Sequence, residues 1–300
     1  LITKFGKRFL TSYLAGMITS PTKDLAFGID STAVQANGND TRLGFEFYRV
    51  PVSFGSIDIQ TDEFGASTYS AVYQATIPQD VSGIIKEIGL YPGLKSSANN
   101  YDSKFIADFE NNLMWFKSDN SNPGLVAETT SEIAPRVGSY FSKVAVSASQ
   151  SVEFTCSYSG LDLSGYTASD SLSLAYNQED TNLQSITFKF YSSDSSYYST
   201  TFAAAATVTE PNKIAKVLFS TLTANNAFAD LTSIIKIGVT VTAKSSGQAV
   251  VYLDALRIDD EDTFDANFGL ISRSALSQAN QIVKIAGKPV DVEYRINLGF

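Results

Sequence analysis

The chain has 300 residues, 44% of them hydrophobic and 18% charged, with a formal net charge of −9. That length suits two domains of roughly 100–200 residues, and the low charge, against roughly 25% in an average soluble chain, is made up by Ser, Thr, Asn and Tyr, a mix suited to strands. The acidic balance argues against a broad nucleic-acid footprint, and the lack of any histidine excludes Ser-His-Asp and Cys-His sites, histidine-ligated zinc and imidazole acid–base chemistry.

In chain order, Phe5, Phe9 and Tyr13 with Leu10 and Leu14 fall at i, i+4 spacing, and Gly16 follows as a C-cap. This predicts an amphipathic helix docked on its own domain. Lys4, Lys7 and Arg8 ahead of Phe9–Ile18 imitate a signal peptide, but polar residues interrupt the run and no small-x-small cleavage site follows. Strands are predicted at Asp24–Ile29, through Phe45, Phe47 and Val50–Ile59, at Tyr69–Ile77, over Ile84–Tyr91, and at Asn112–Phe116 with the lone tryptophan, Trp115. Asn37-Gly38-Asn39-Asp40 reads as a turn, and Pro51 implies a sheet edge or a bulge.

Breakers between Asn120 and Gly138 read as a linker. Beyond it, alternating sets recur: Leu172, Leu174 and Tyr176; Ile186, Phe188 and Phe190; Ile235, Ile237, Val239 and Val241; Val251, Leu253 and Ala255. Short alternating strands separated by turns predict a β-sandwich of jelly-roll type. Ala203–Ala206 is a short helix candidate. A last alternating strand carries Val290, Val292, Tyr294, Ile296 and Leu298 on one face, and the first ~120 residues are its natural sheet partners. The predicted fold is therefore mainly β: a discontinuous outer α+β domain, 1–133 plus 263–300, with a sandwich, 138–260, inserted into it.

Chemistry-bearing motifs are few. Cys156, the single cysteine, shares a strand face with Val152, Phe154 and Tyr158, which predicts a buried thiol. Phosphate-binding glycine fingerprints are absent, and no apolar run approaches the ~18–20 residues of a membrane span. The acidic run Asp259, Asp260, Glu261 and Asp262 is either a solvated hinge or a calcium site, since calcium takes carboxylate and carbonyl oxygens from loops. Asp58, Asp62 and Glu63 are the carboxylates a glycan-cleaving enzyme would need. Tyr197 and Tyr198, following Ser192-Ser193-Asp194-Ser195-Ser196, are predicted on an exposed loop, where tyrosine rings would stack on a sugar's apolar face.

Tyr69–Gly93, YSAVYQATIPQDVSGIIKEIGLYPG, resembles the N-terminal region of phage tail-collar and tail-fibre proteins, in which a proline-containing turn precedes an I-x-E-[IV]-G-L-[FY] strand. Gly287–Leu298, GKPVDVEYRINL, is similar to the closing strand of such virion proteins. The middle of the chain resembles carbohydrate-binding-module-like jelly rolls, through LDLSGYTASDSLSLAY (161–176) and the VYLDALRID ending of 251–259. In that pattern Asp254 is an aspartate that braces structure.

These resemblances imply a non-enzymatic component of a phage particle, at the tail, collar, baseplate or capsid surface, assembled in the host cytoplasm. Its expected partners are further copies of itself, neighbouring virion proteins and host-surface glycans, without cofactor, nucleic acid or membrane insertion. The alternative is a secreted or surface carbohydrate-binding module, and the third reading is a glycan-active enzyme.

Overall fold

The computed structural model describes residues 1–17, 23–61, 63–65, 67–92, 104–110, 114–117, 125–128, 135–205, 213–259 and 269–298. The chain divides into two compact units, the first made of residues 1–100 and 263–300, the second of residues 101–262. In chain order the first unit opens with α1 (Lys4–Leu14), β1 (Lys23–Gly28), β2 (Glu46–Thr61), β3 (Ser67–Ile77), β4 (Gly83–Ile85) and β5 (Glu87–Tyr91). The second unit holds β6 (Lys104–Ala107), β7 (Phe116–Lys117), β8 (Leu125–Glu128), β9 (Phe141–Val146), β10 (Ser151–Leu161) and β11 (Ser171–Gln178). It continues with β12 (Leu183–Tyr191), β13 (Tyr197–Ala203), β14 (Lys213–Leu218), β15 (Thr223–Ala224), β16 (Ile234–Ala243) and β17 (Ala249–Asp259). The chain then returns to the first unit as β18 (Ser272–Ala275), β19 (Ile282–Lys284) and β20 (Val290–Leu298).

In the first unit α1 starts where Thr3 Oγ1 accepts the Gly6 N–H at 2.9 Å, an N-cap that satisfies one of the orphan donors of the first turn. Phe5 and Phe9 are buried and their rings stack 6.0 Å apart, but Tyr13 and Leu14 are exposed. The apolar stripe therefore covers two turns instead of the whole helix. Gly16, just past the cap, takes φ +69°, the left-handed conformation that favours glycine.

An antiparallel sheet runs β18-β5-β1-β2-β3-β20. Strand β20 pairs with β3 from Val290↔Ile77 to Leu298↔Tyr69, burying Val292, Tyr294 and Ile296. Pro51 pairs only toward β1, opposite Asp24. On its other side the pairing of β2 with β3 begins at Ser53 and is broken by a bulge between Phe54 and Ser56. Pro51 thus sits where β2 has no partner on the β3 side, a place a proline tolerates.

Buried charge pins this unit. Glu87, in the IKEIGLY segment, accepts the N–H groups of Phe45 at 2.8 Å and Gly44 at 3.0 Å. It also meets Arg273 at 2.8 Å, while Arg273 reaches Asp40 at 2.9 Å.

The second unit is a two-sheet, jelly-roll-like sandwich. One sheet runs β15-β13-β12-β16-β10-β7 and the other β14-β11-β17-β9-β8, with β6 also on β17. Leu172, Leu174 and Tyr176 from one sheet and Ile186, Phe188, Phe190, Ile237, Val239 and Val241 from the other meet in one core. The alternation read from the sequence selects these faces. Ile235 departs from it: Ile234 is buried and Ile235 is exposed, because the β10–β16 register shifts at this end.

Three sequence expectations are corrected. Residues 104–107, 116–117 and 125–128 pair with β17, β10 and β9 respectively, so this stretch belongs to the sandwich and the first boundary lies near residue 100, not 133. Of the strand expected at Asn112–Phe116, Asn112 and Leu113 lie outside the described residues, Met114 and Trp115 are not in a strand, and Phe116 opens β7. Ala203 ends β13 and Ala204 and Ala205 are irregular, not helical, while Ala206 lies outside the described residues.

Candidate functional site

The strands β10, β16, β12 and β13 lie side by side and turn alternate residues outward. Because β12 pairs with both β16 and β13, Tyr191 stands opposite Lys236 on one side and Tyr197 on the other. The two tyrosine rings lie 5.0 Å apart at 54°. Lys236 Nζ sits 4.4 Å from the Tyr191 ring centroid and Lys189 Nζ 5.2 Å from that of Tyr197, within cation–π range. Gly238, opposite Lys189, has no side chain to fill the space between Tyr191 and Glu153.

Each cation on this face has a carboxylate. Lys189 Nζ lies 2.6 Å from Glu153 Oε2, and Lys236 Nζ lies 3.1 Å from Asp194 Oδ1. The Tyr191 hydroxyl donates to Glu153 Oε1 at 2.6 Å. Burial, and then the Glu153 carboxylate accepting from it, push the Tyr191 phenol well above its ordinary pKa, so it stays a neutral donor. Farther along the same face the strands carry hydroxyl pairs: Thr187 and Thr201 Oγ1 lie 2.9 Å apart, four residues from the tyrosines, and at the far end of the strands Ser151 Oγ lies 3.0 Å from Thr242 Oγ1. The result is a half-buried Tyr197 ring on a locally charge-balanced polar sheet face, against which Tyr191, only 8% exposed, is packed.

The loops at this end are tied together. The Tyr197 N–H donates to Asn225 Oδ1 at 2.8 Å, and the side-chain amides of Asn225 and Asn226 donate to the Ser195 carbonyl at 2.8 and 3.1 Å. Phe228, in the same turn, is 84% exposed. Neither Tyr191 nor Phe228 is singled out by sequence reasoning. An isolated aromatic after an Asn-Asn turn signal was the available clue for Phe228, and no local pattern marks Tyr191.

The residues predicted from sequence fall in different places. Tyr197 and Tyr198 are not on an exposed loop but open β13, half-buried. Successive strand residues point to opposite faces, so Tyr197 lies on the outer side beside Tyr191, which is itself buried, whereas Tyr198, paired with Phe190, turns toward the other sheet. Asp259 ends β17 with its charge already matched: Arg257 Nε lies 2.7 Å away and Ser173 Oγ donates at 2.6 Å. Both members of that pair are buried, so Asp259 is a structural ion-pair partner and not a free calcium ligand. Asp260, Glu261 and Asp262 lie outside the described residues, among which no cluster of three or more metal-ligating side chains occurs.

Asp58 pairs with Arg295 at 2.5 Å on the polar face of the β2–β3 hairpin, Glu63 is exposed, and Asp62 lies outside the described residues. Cys156 is a buried free thiol, and burial pushes its pKa up. It lines, with Phe105, Trp115 and Tyr158, an apolar recess of about 260 Å³. Trp115 is buried and stacks on Phe109 at 5.0 Å. Asp254 is buried and accepts the N–H groups of Arg136 at 2.8 Å and Val137 at 3.4 Å, a bracing role.

Fold and surface together define a mainly β protein with a jelly-roll-like sandwich. No family model and no curated protein matches the chain. Among solved structures, a family 30 carbohydrate-binding module aligns at TM-score 0.38 and 16% identity, over 50% of this chain and 83% of that one. The family 11 carbohydrate-binding module from Clostridium thermocellum, in complex with a β-1,3-1,4-mixed-linked tetrasaccharide, aligns at TM-score 0.36 and 17% identity, over 52% and 95%. An exo-β-agarase aligns at TM-score 0.37 and 16% identity, over 56% of this chain and 26% of its own, so the chain spans about a quarter of that enzyme's length. Likenesses at these scores assign no function. Among the described residues no helix is long and apolar enough to cross a membrane.

Proposed function

We propose that the sandwich unit is a non-catalytic glycan-binding module whose contact surface is the outer face of β10, β16, β12 and β13. The observation that carries this reading is the Tyr191–Tyr197 pair flanked by Lys189 and Lys236, each lysine neutralised by a carboxylate. A tyrosine face takes the C–H side of a sugar ring while phenol, ammonium and threonine hydroxyls serve its hydroxyl groups. Local charge balance favours an uncharged glycan over a polyanion. One copy binds weakly, and linking several copies raises avidity by roughly 10²–10⁴.

The test is an array of oligosaccharides from bacterial envelopes and from plant and algal walls, probed with the full chain, followed by calorimetry on any hit. Tyr197→Ala is expected to weaken binding at least tenfold with unfolding little changed, and Tyr198→Ala to leave affinity in place. An array without signal at millimolar sugar overturns the reading. Cleavage of a polysaccharide by the purified chain overturns its non-catalytic part.

A second reading, a structural component of a phage particle, rests on the sequence resemblance alone; the two segments that carry that resemblance include the neighbouring strands β3 and β20 of one sheet. Co-purification of the chain with intact particles tests it.

A further inference from the structure

We infer that the recess beside Trp115, at the open side of the sandwich, binds a small organic ammonium ion. The recess exists because one sheet edge is short. Strand β7 pairs with β10 only at Phe154 and Thr155, so at Cys156 and Tyr158 that side of β10 has no strand partner among the described residues. In the other sheet β6 pairs along β17 from Leu256 to Ile258. The two edges stand apart around a space of about 260 Å³. Trp115, Cys156 and Ile237 are its buried lining, Tyr158 is half-buried, and Asp108 and Met114 are exposed where it opens. Stacking on Phe109 at 5.0 Å holds Trp115 in place.

The occupant follows from charge and ring chemistry. Asp108 is the charged side chain of the described lining. It makes no ion pair among the described residues, and its carboxylate accepts the Glu110 N–H at 3.3 Å. Its field reaches inward: burial first, and then this carboxylate, raise the pKa of the Cys156 thiol and of the Tyr158 phenol. Both groups therefore stay neutral, and the negative charge at the opening is not offset from within. The electron-rich faces of Trp and Tyr and the polarizable thioether of Met114 suit the methyl or methylene shell of an alkylammonium ion, while Asp108 answers its charge. An anion is repelled here, and a metal ion lacks ligands, since no cluster of three ligating side chains occurs among the described residues. A saccharide brings more hydroxyls than one carboxylate and one phenol can serve. The volume lies just under the roughly 300–1,000 Å³ of drug-sized sites, which limits the ligand to a charged head with a few carbons. Cys156, Tyr158 and Ile237 face away from the tyrosine surface of the same strands, so this inference is independent of the glycan reading.

Trp115 is the only tryptophan of the chain, so its fluorescence reports occupancy of the recess directly. The full chain is titrated with choline chloride, against sodium chloride at matched ionic strength, and with dimethylbutanol, the neutral alcohol in which carbon replaces the choline nitrogen. Choline is expected to change the emission with a midpoint on the order of 1 mM, and dimethylbutanol to bind about tenfold more weakly. Asp108→Asn keeps an acceptor for the Glu110 N–H and is expected to lose about tenfold in choline affinity with unfolding unchanged. Tyr197→Ala, on the outer face, is expected to leave choline affinity in place. An emission that does not respond up to about 50 mM choline overturns the inference. Equal affinity for the neutral alcohol overturns it too, and that comparison uses the wild-type chain, so it stands whether or not the variant folds. Undiminished choline binding by folded Asp108→Asn does the same.

Discussion

Ser272 and Tyr294 belong to opposite edge strands of the same six-stranded sheet, yet the Ser272 hydroxyl donates to Tyr294 Oη at 3.1 Å, with Ser274 Oγ 3.3 Å away. The sheet therefore curls until β20 and β18 nearly meet, and one phenol bridges the seam. Burial raises the Tyr294 pKa, so the bridge persists through neutral and mildly alkaline pH. Removing the hydroxyl in Tyr294→Phe leaves two serine hydroxyls short of a partner and should cost about 1–2 kcal/mol in the first unit's unfolding transition. Denaturation followed by urea checks this, and an unchanged midpoint would show that the seam contributes nothing.

Arg273 and Glu87 form the buried charge at the centre of that unit. Breaking such a pair from one side leaves an uncompensated ion and typically costs about 3–5 kcal/mol. Arg273→Met should lose this much at pH 7. Burial already raises the Glu87 pKa against the pull of Arg273, and without Arg273 it rises further. The native state then binds a proton the unfolded chain does not, so the variant should regain stability as pH falls toward 5. A loss independent of pH would mean that the packing of the guanidinium, and not its charge, is what matters.

Asp254 makes a second pH-linked prediction, in the sandwich. Burial pushes its carboxyl up to about 7, against the opposing donation of the Arg136 and Val137 N–H groups. Since the native value lies above the unfolded one, the native state holds the extra proton between about pH 4 and 7. This group's contribution is present at the acidic end and is lost as pH rises to 7, by at most roughly 4 kcal/mol. Asp254→Asn retains a carbonyl acceptor and removes the titration. The stability difference between wild type and variant should therefore shift in the variant's favour from pH 5 to pH 7.5, measured by urea unfolding at each pH.

At the tyrosine face, a methyl group built on Gly238 would lie 2.8 Å from Glu153 Oε1 and 3.0 Å from Tyr191 Cε2. Tyr191 is buried and its hydroxyl bond to Glu153 has to give way, so Gly238→Ala should cost about 1–2 kcal/mol. It should also break the Tyr191–Glu153 contact and lower affinity for any glycan found on the array. Unaltered affinity would place the sugar elsewhere on the sandwich.

Two buried carboxylates repeat one device. Glu87 takes the N–H groups of Gly44 and Phe45, and Asp254 those of Arg136 and Val137. Each satisfies adjacent donors of a turn that would otherwise be buried without acceptors.

The sequence by itself determined the faces of the strands. Alternation at Leu172, Leu174 and Tyr176, at Ile186, Phe188 and Phe190, and at Val292, Tyr294 and Ile296 names side chains that the fold buries, because a pleated chain turns every second residue to the same side. It also marked Cys156 as a buried thiol on the same grounds. Only the tertiary structure decided which strands are neighbours, because antiparallel pairing joins segments far apart in the chain and local pattern carries no trace of the partner. Tyr191 meets Glu153 and Lys236 through two such pairings, which is why the best-built part of the candidate surface had no local signal. Tyr197 and Tyr198 looked alike as a loop pair and were separated by the pleat of β13. Asp259 looked like a free ligand in an acidic run until β17 set Arg257 beside it and β11 set Ser173 across from it, since a charge is satisfied by its neighbours in space and not by its neighbours in sequence.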